Sequence, residues 1–200
     1  VIRHNIENSF NFLDKEFDLK DYRKGTQKLE ELSILYILKA FYELGIEVRK
    51  DNNFSENEIE IAIQHKKLFK RLIEILIDEK IVRKIKSGYE FKKTLEIEKI
   101  EKKINSLTEI NNEIKAELNL LTRCGNKLSG VLKGDTDPLQ LLFPDGDLSL
   151  TTELYQNSPA FATMNIAIKE LLDEILNSSS KDKTIRILEL GAGTGSTTSY

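Results

Sequence analysis

The sequence predicts a mainly helical α+β unit that leads into the first strand-to-helix step of a parallel α/β core. Three observations carry this reading. Apolar residues recur at helical spacing through much of the chain; one short alternating stretch folds around a glycine turn at "KSG"; and the segment "TIRILELGAGTGSTTSY" joins an apolar run to a glycine-rich loop. The organisation expected is a helical lid over 1–128, a connector with capping helices over 129–183, and the start of the core over 184–200, which the chain leaves truncated.

The opening segment "NSFNFLDKEFDLKDYRKG" scatters Phe10, Phe12, Leu13, Phe17 and Tyr22 among charges, and reads as short helical or irregular structure broken at Gly25. The stretch "TQKLEELSILYILKAFYELGIEV" then places Leu29, Leu32, Leu35, Tyr36 and Ala40 on one helical face, with Gly45 as its C-cap. "FSENEIEIAIQH" offers Ser55 and Glu58 as a capping box for a second helix. A third, "HKKLFKRLIEILIDEK", repeats Leu68, Leu72, Ile75 and Leu76. "IVRKI" and "YEFKK" around the "KSG" turn form a β-hairpin. Helices followed by a hairpin are the order of a winged-helix unit.

From Leu95 to Leu121 the spacing of Ile100, Ile104, Leu107, Ile114, Leu118 and Leu121 predicts one long helix. A composition shift follows. "GVLKGDTDPLQLLFPDGDLSL" gathers Gly130, Gly134, Pro138, Pro144 and Gly146 and reads as a linker or crossing loop. "TTELYQNSPAFATMNIAIKELLDEIL" is amphipathic and helical, with a break expected at Ser158-Pro159 because proline disfavours helix in the residue before it. "NSSSKDK" is a polar turn. Ile185, Ile187, Leu188 and Leu190 then form a buried parallel-type strand, and a helix opens at Ser196 to Thr198.

Composition narrows the function. The 30 basic and 33 acidic side chains give a formal charge of −3, which supports neither a nucleic-acid nor a membrane partner. Lys66, Lys67, Lys70, Arg71, Arg83, Lys84 and Lys86 interleave with Glu74, Asp78 and Glu79, and read as a solvated face. Cys124 is the single cysteine and His4 and His65 the two histidines, so neither a disulfide nor a Cys- or His-rich metal site is expected. No apolar run reaches the ~18 residues of a membrane span and no signal peptide opens the chain, so the expected compartment is the reducing cytoplasm.

The chemistry is concentrated in "ELGAGTG". Gly191, Gly193 and Gly195 sit at G-x-G-x-G spacing, where missing Cβ atoms let the backbone turn sharply and a ligand approach closely. The G-x-G-x-x-G of dinucleotide sites is absent. Glu189, two residues before the first glycine, makes the segment resemble the first motif of S-adenosylmethionine-dependent methyltransferases. The likeness widens through "VLKGDTDPLQLLFP", "LYQNSP" and "RILELGAGTGSTTSY": from Leu120 onward the sequence resembles the methyltransferase domain embedded in modular polyketide synthases, and before it the match is one of style.

This resemblance implies a winged-helix-like lid before a Rossmann-like core. It implies methyl transfer from S-adenosylmethionine to the α-carbon of a β-ketoacyl chain, carried by phosphopantetheine on an acyl carrier protein among neighbouring synthase domains. Glu189, Gly191, Ala192, Gly193, Thr194 and Gly195 inherit the cofactor loop; Tyr155, Ser158 and Asn165 are further candidates on the capping segment. The His–Glu pair that acts as base in C-methylating relatives falls after the glycine motif, so no catalytic residue is assigned and His4 and His65 do not inherit the role. The alternatives are an O-methyltransferase domain of the same kind of assembly line, and a structural or degenerate methyltransferase module.

Overall fold

Helix α1 spans Leu19–Glu43 in the computed structural model, which describes residues 19–109, 114–179 and 184–200. The chain divides into two compact units, one of 27–110 with 118–145 and one of 1–26 with 111–117 and 146–200. Gly25 is buried inside α1 rather than ending it. A helical glycine costs only about 1 kcal/mol, which the packing of a 25-residue helix outweighs. Phe10, Phe12, Leu13 and Phe17 lie outside the described residues.

In the first unit α1 carries the core. Leu32, Tyr36, Leu38, Ala40 and Phe41 are all buried, more than one face of the helix. Gly45 ends it as expected: at φ +84° it turns the chain so that the Ile46 amide donates to the Phe41 carbonyl at 2.9 Å. Strand β1 is short, Asn53–Phe54. The helix expected after it is absent. Two single 3-10 turns, Glu56–Glu58 and Ile63–His65, stand in its place, and the Ser55 hydroxyl caps the first by accepting from the Asn57 amide. The period-two isoleucines at 59, 61 and 63 cannot share one helical face, which is why the cap at Ser55 opens a single turn and no longer helix.

Helix α2, Lys66–Asp78, buries Phe69, Leu72, Ile73 and Leu76. The expected stripe through Leu68 and Ile75 is turned by one residue, since Leu68 is exposed and Ile75 half-buried. Phe69 packs tilted against Phe41 at 5.2 Å, and Phe54 joins Phe41 and Phe91. Strands β2, Val82–Ile85, and β3, Gly88–Phe91, form the expected hairpin, with β1 on the other side of β3 in an antiparallel sheet ordered β1-β3-β2. Gly88 has φ +141°, and a Cβ there would lie 2.4 Å from the Phe54 carbonyl oxygen.

The single helix expected over 95–121 is two: α3, Ile97–Leu107, and α4, Lys115–Gly125. Ser106 and Thr108 return their hydroxyls to the carbonyls of Lys103 and Asn105, the competition by which short polar side chains close a helix. Helix α4 meets α1 through Gly125, where a Cβ would come 2.3 Å from the Tyr36 ring. The stretch expected as a linker holds two short helices, α5 (Leu128–Lys133) and α6 (Pro138–Leu142). Leu132 is fully buried, and Asp137 caps α6 by accepting from the Leu139 amide.

In the second unit the Tyr22 hydroxyl donates to Glu117 Oε1 at 2.8 Å; burial first, then this bond to a carboxylate, pushes the phenol up to about 12. Helices α7, Ser149–Asn157, and α8, Pro159–Ser178, break at Ser158 as the proline requires. Residues 184–190 form no strand: Ile187, Leu188 and Leu190 are exposed. A parallel strand needs neighbours, and the sheet seen among the described residues is β1-β3-β2. The helix expected at Ser196 is a series of hydrogen-bonded turns instead, Gly195 N–H to the Ala192 carbonyl and Ser199 N–H to the Gly195 carbonyl. Among the described residues no helix is long and apolar enough to cross a membrane, and no group of three or more His, Cys, Asp or Glu side chains is placed to hold a metal.

Candidate functional site

The glycine loop opens on a cavity of about 360 Å³ within the second unit. Gly191, Gly193 and Gly195 have φ of +76°, +55° and +71°. L-residues with a Cβ rarely enter this left-handed region, so the three positions need glycine for the path of the backbone itself. A Cβ at Gly191 would enter open space, and one at Gly193 would meet only the Gly191 carbonyl oxygen at 3.7 Å. The loop is thus uncovered where those Cβ atoms would stand.

The opposite wall comes from the α7–α8 break. Tyr155, near the end of α7, and Phe161, in the first turn of α8, pack edge to face with centroids 4.8 Å apart. Both keep more than a third of their surface exposed. Asn165, one turn further along α8, is buried and also lines the cavity. Its Nδ2 donates to the Tyr155 carbonyl at 3.0 Å and its Oδ1 accepts from Thr197 Oγ1 at 2.9 Å. The Glu189 carboxylate accepts from the Thr198 hydroxyl, which ties the acid to the turn beyond the glycines.

The chain as a whole is similar to known proteins. No family model matches the chain. The sequence is 30% identical over 199 residues to a 5-methylorsellinic acid synthase of Aspergillus terreus and 32% identical over 183 residues to the non-reducing polyketide synthase dpfgA of Gibberella zeae. These alignments take in 98% and 88% of the chain and 8% of either synthase. The CurJ carbon methyltransferase superposes on 99% of the chain at a TM-score of 0.86 and 32% identity, and the CMeT domain of the citrinin polyketide synthase on 97% at 0.76 and 22%. The chain is similar in sequence and in fold to polyketide-synthase carbon methyltransferase domains. It spans 54% of each of those two solved methyltransferase chains.

Among the methyltransferase-loop residues singled out in the sequence, Glu189, Gly191, Ala192, Gly193 and Thr194 all line the cavity, together with Tyr155 and Asn165. Gly195 and Ser158 do not: Gly195 shapes the turn, and Ser158 is buried with its hydroxyl beside the Tyr22 phenol. The structure adds Phe161, Ser196 and Thr197 to the wall. The run of small hydroxyls in "GSTTS" was the available signal for the last two, since side chains of this kind stitch turns to their surroundings. Phe161 carried no signal in the sequence beyond its place after Pro159.

Proposed function

We propose that this chain supplies the S-adenosylmethionine loop and the capping wall of a polyketide-synthase C-methyltransferase. What supports the reading most is one juxtaposition, the left-handed glycines at 191 and 193 facing Tyr155, Phe161 and Asn165 across one cavity, in a fold like that of carbon methyltransferases. The residues fit the cofactor. The bare loop leaves room that any Cβ at Gly191 would enter. The aromatic pair offers π-faces to a cationic sulfonium or a base ring. The Glu189 carboxylate, held by Thr198, suits an ammonium or ribose hydroxyls.

Bound there, S-adenosylmethionine supplies an electrophilic methyl for a carbanion. The acceptor proposed is the α-carbon of a β-ketoacyl chain on the phosphopantetheine arm of an acyl carrier protein, acidic because it lies between ketone and thioester. In this division of labour Gly191, Ala192, Gly193 and Thr194 bind and orient, Gly195 sets the turn, and Tyr155 and Phe161 exclude water. No residue here is assigned as base; His65 stands in the first unit and takes no such role. The β2–β3 hairpin following α2 is read as the wing of a winged-helix-like lid, and the chain as part of a larger cytoplasmic synthase whose neighbouring domains present the carrier.

The test is the intact mass of carrier-bound acyl chains after incubation with S-adenosylmethionine and a whole methyltransferase domain that contains this chain. One added methyl on a β-ketoacyl carrier, and none on a β-hydroxyacyl carrier, is the expected result. A methyl on the hydroxyacyl chain alone would make it an O-methyltransferase. None on either, from folded protein, would favour a structural or degenerate module.

A further inference from the structure

Asn165 lines the cavity, yet its amide is already engaged on both sides. The Tyr155 carbonyl can only accept, so the Nδ2 edge must face it, and Oδ1 is thereby turned to the Thr197 hydroxyl. Tyr155 belongs to the last turn of α7, where carbonyls have no helical partner and need one from elsewhere. Thr197 lies two residues past the last glycine of the loop. One buried side chain therefore joins an unsatisfied helix end to the turn that carries the glycines. Two exposed contacts run in parallel, from the Tyr200 hydroxyl to the Gln156 carbonyl and from Gln156 Nε2 to Ser199 Oγ.

We infer that Asn165 is a positioning residue: its side chain clasps the α7 terminus to Thr197 and so holds the glycine loop at the spacing the cavity needs, without itself contacting the cofactor. This rests on the proposed cofactor site but is tested apart from it. Breaking the clasp strands a buried donor or acceptor, and the buried part of the restraint on residues 194–200 is lost with it, leaving the exposed contacts. The effect reaches a ligand through the loop's freedom, since a loop not held in its binding form lowers apparent affinity by the fraction of time it is misplaced.

The experiment measures amide hydrogen exchange of the ligand-free protein, parent against Asn165→Asp and Thr197→Val, together with the calorimetric affinity for S-adenosylhomocysteine. Asn165→Asp keeps an acceptor for Thr197 but turns an oxygen toward the Tyr155 carbonyl; protonating that carboxyl restores a donor. The other titratable groups on the cavity wall are Glu189 and Tyr155, whose effects the parent reports over the same pH range. Expected are faster exchange at the hydrogen-bonded amides of Gly195, Ser199 and Tyr200 in both variants, unchanged exchange in α2, and affinity about tenfold weaker at neutral pH. In Asn165→Asp alone, protection and affinity should return as pH falls through the pKa of the new carboxyl. Unchanged exchange at 195–200 with weakened affinity would overturn the inference and make Asn165 a direct ligand contact. Loosened exchange in a protein whose parent binds no S-adenosylhomocysteine would uphold the clasp and sink the cofactor reading instead.

Discussion

Gly193 is the residue on which the cofactor reading can be struck most directly. Its φ of +55° lies where a β-branched residue is an outlier, while its surroundings leave room for a side chain. The obstacle to substitution is therefore the backbone, at about 1–2 kcal/mol for any L-residue and more for valine. Gly193→Val should lower affinity for S-adenosylmethionine by at least about tenfold. The thermal midpoint of the helical core should stay where it is. Unchanged affinity by calorimetry would remove Gly193 from the site. Glu189→Ala, which frees the Thr198 hydroxyl of an exposed partner, should weaken binding with the fold intact; full affinity would leave the acid without the proposed role.

At the scale of elements, the junction of α1 and α4 depends on a missing side chain. A methyl at Gly125 would come 2.3 Å from the Tyr36 ring, and that ring is 1% exposed. Gly125→Ala should cost about 1–3 kcal/mol through overpacking, read as a lowered thermal midpoint; an unshifted midpoint would mean the helices separate freely there. The elements also show what the sequence could and could not say. The hairpin was legible because alternation and a glycine turn agree, and the α7–α8 break because proline acts on its neighbour regardless of context. The first turns of helix α1, before Thr26, were hidden because packing outweighs the small cost of Gly25, and the 95–121 helix was overdrawn because apolar spacing continues across Ser106 and Thr108, whose hydroxyls end it. Of the cavity, the glycine loop was readable from spacing. Phe161 was not, since only the fold brings it, some thirty residues earlier in the chain, to the same wall.

For the whole molecule, alkaline pH is a probe of folding within each unit. The Tyr89 phenol is pushed up to about 12, first by its bond to the Glu56 carboxylate at 2.6 Å and then by burial; Tyr22 reaches about 12 by burial and Glu117. An unfolded tyrosine titrates near 10. Folding thus favours the protonated phenols, and their stabilisation is complete below about pH 10 and lost as pH rises through about 12. Tyr89→Phe keeps the ring stacked on Phe54 at 5.5 Å and removes the titration, so its thermal midpoint should fall less steeply across that interval than the parent's. Equal slopes would show the hydroxyl to be uninvolved.

The placement of the first unit's core along the chain also has a consequence during synthesis. Its buried apolar cluster runs from Leu32 to Leu132, whereas the glycine loop begins only at Gly191. At about 5–20 residues per second, the ribosome needs several seconds to go from the one to the other, longer than most small helical units need to fold. The helical body can therefore be assembled on the nascent chain before the first atom of the glycine loop has been made.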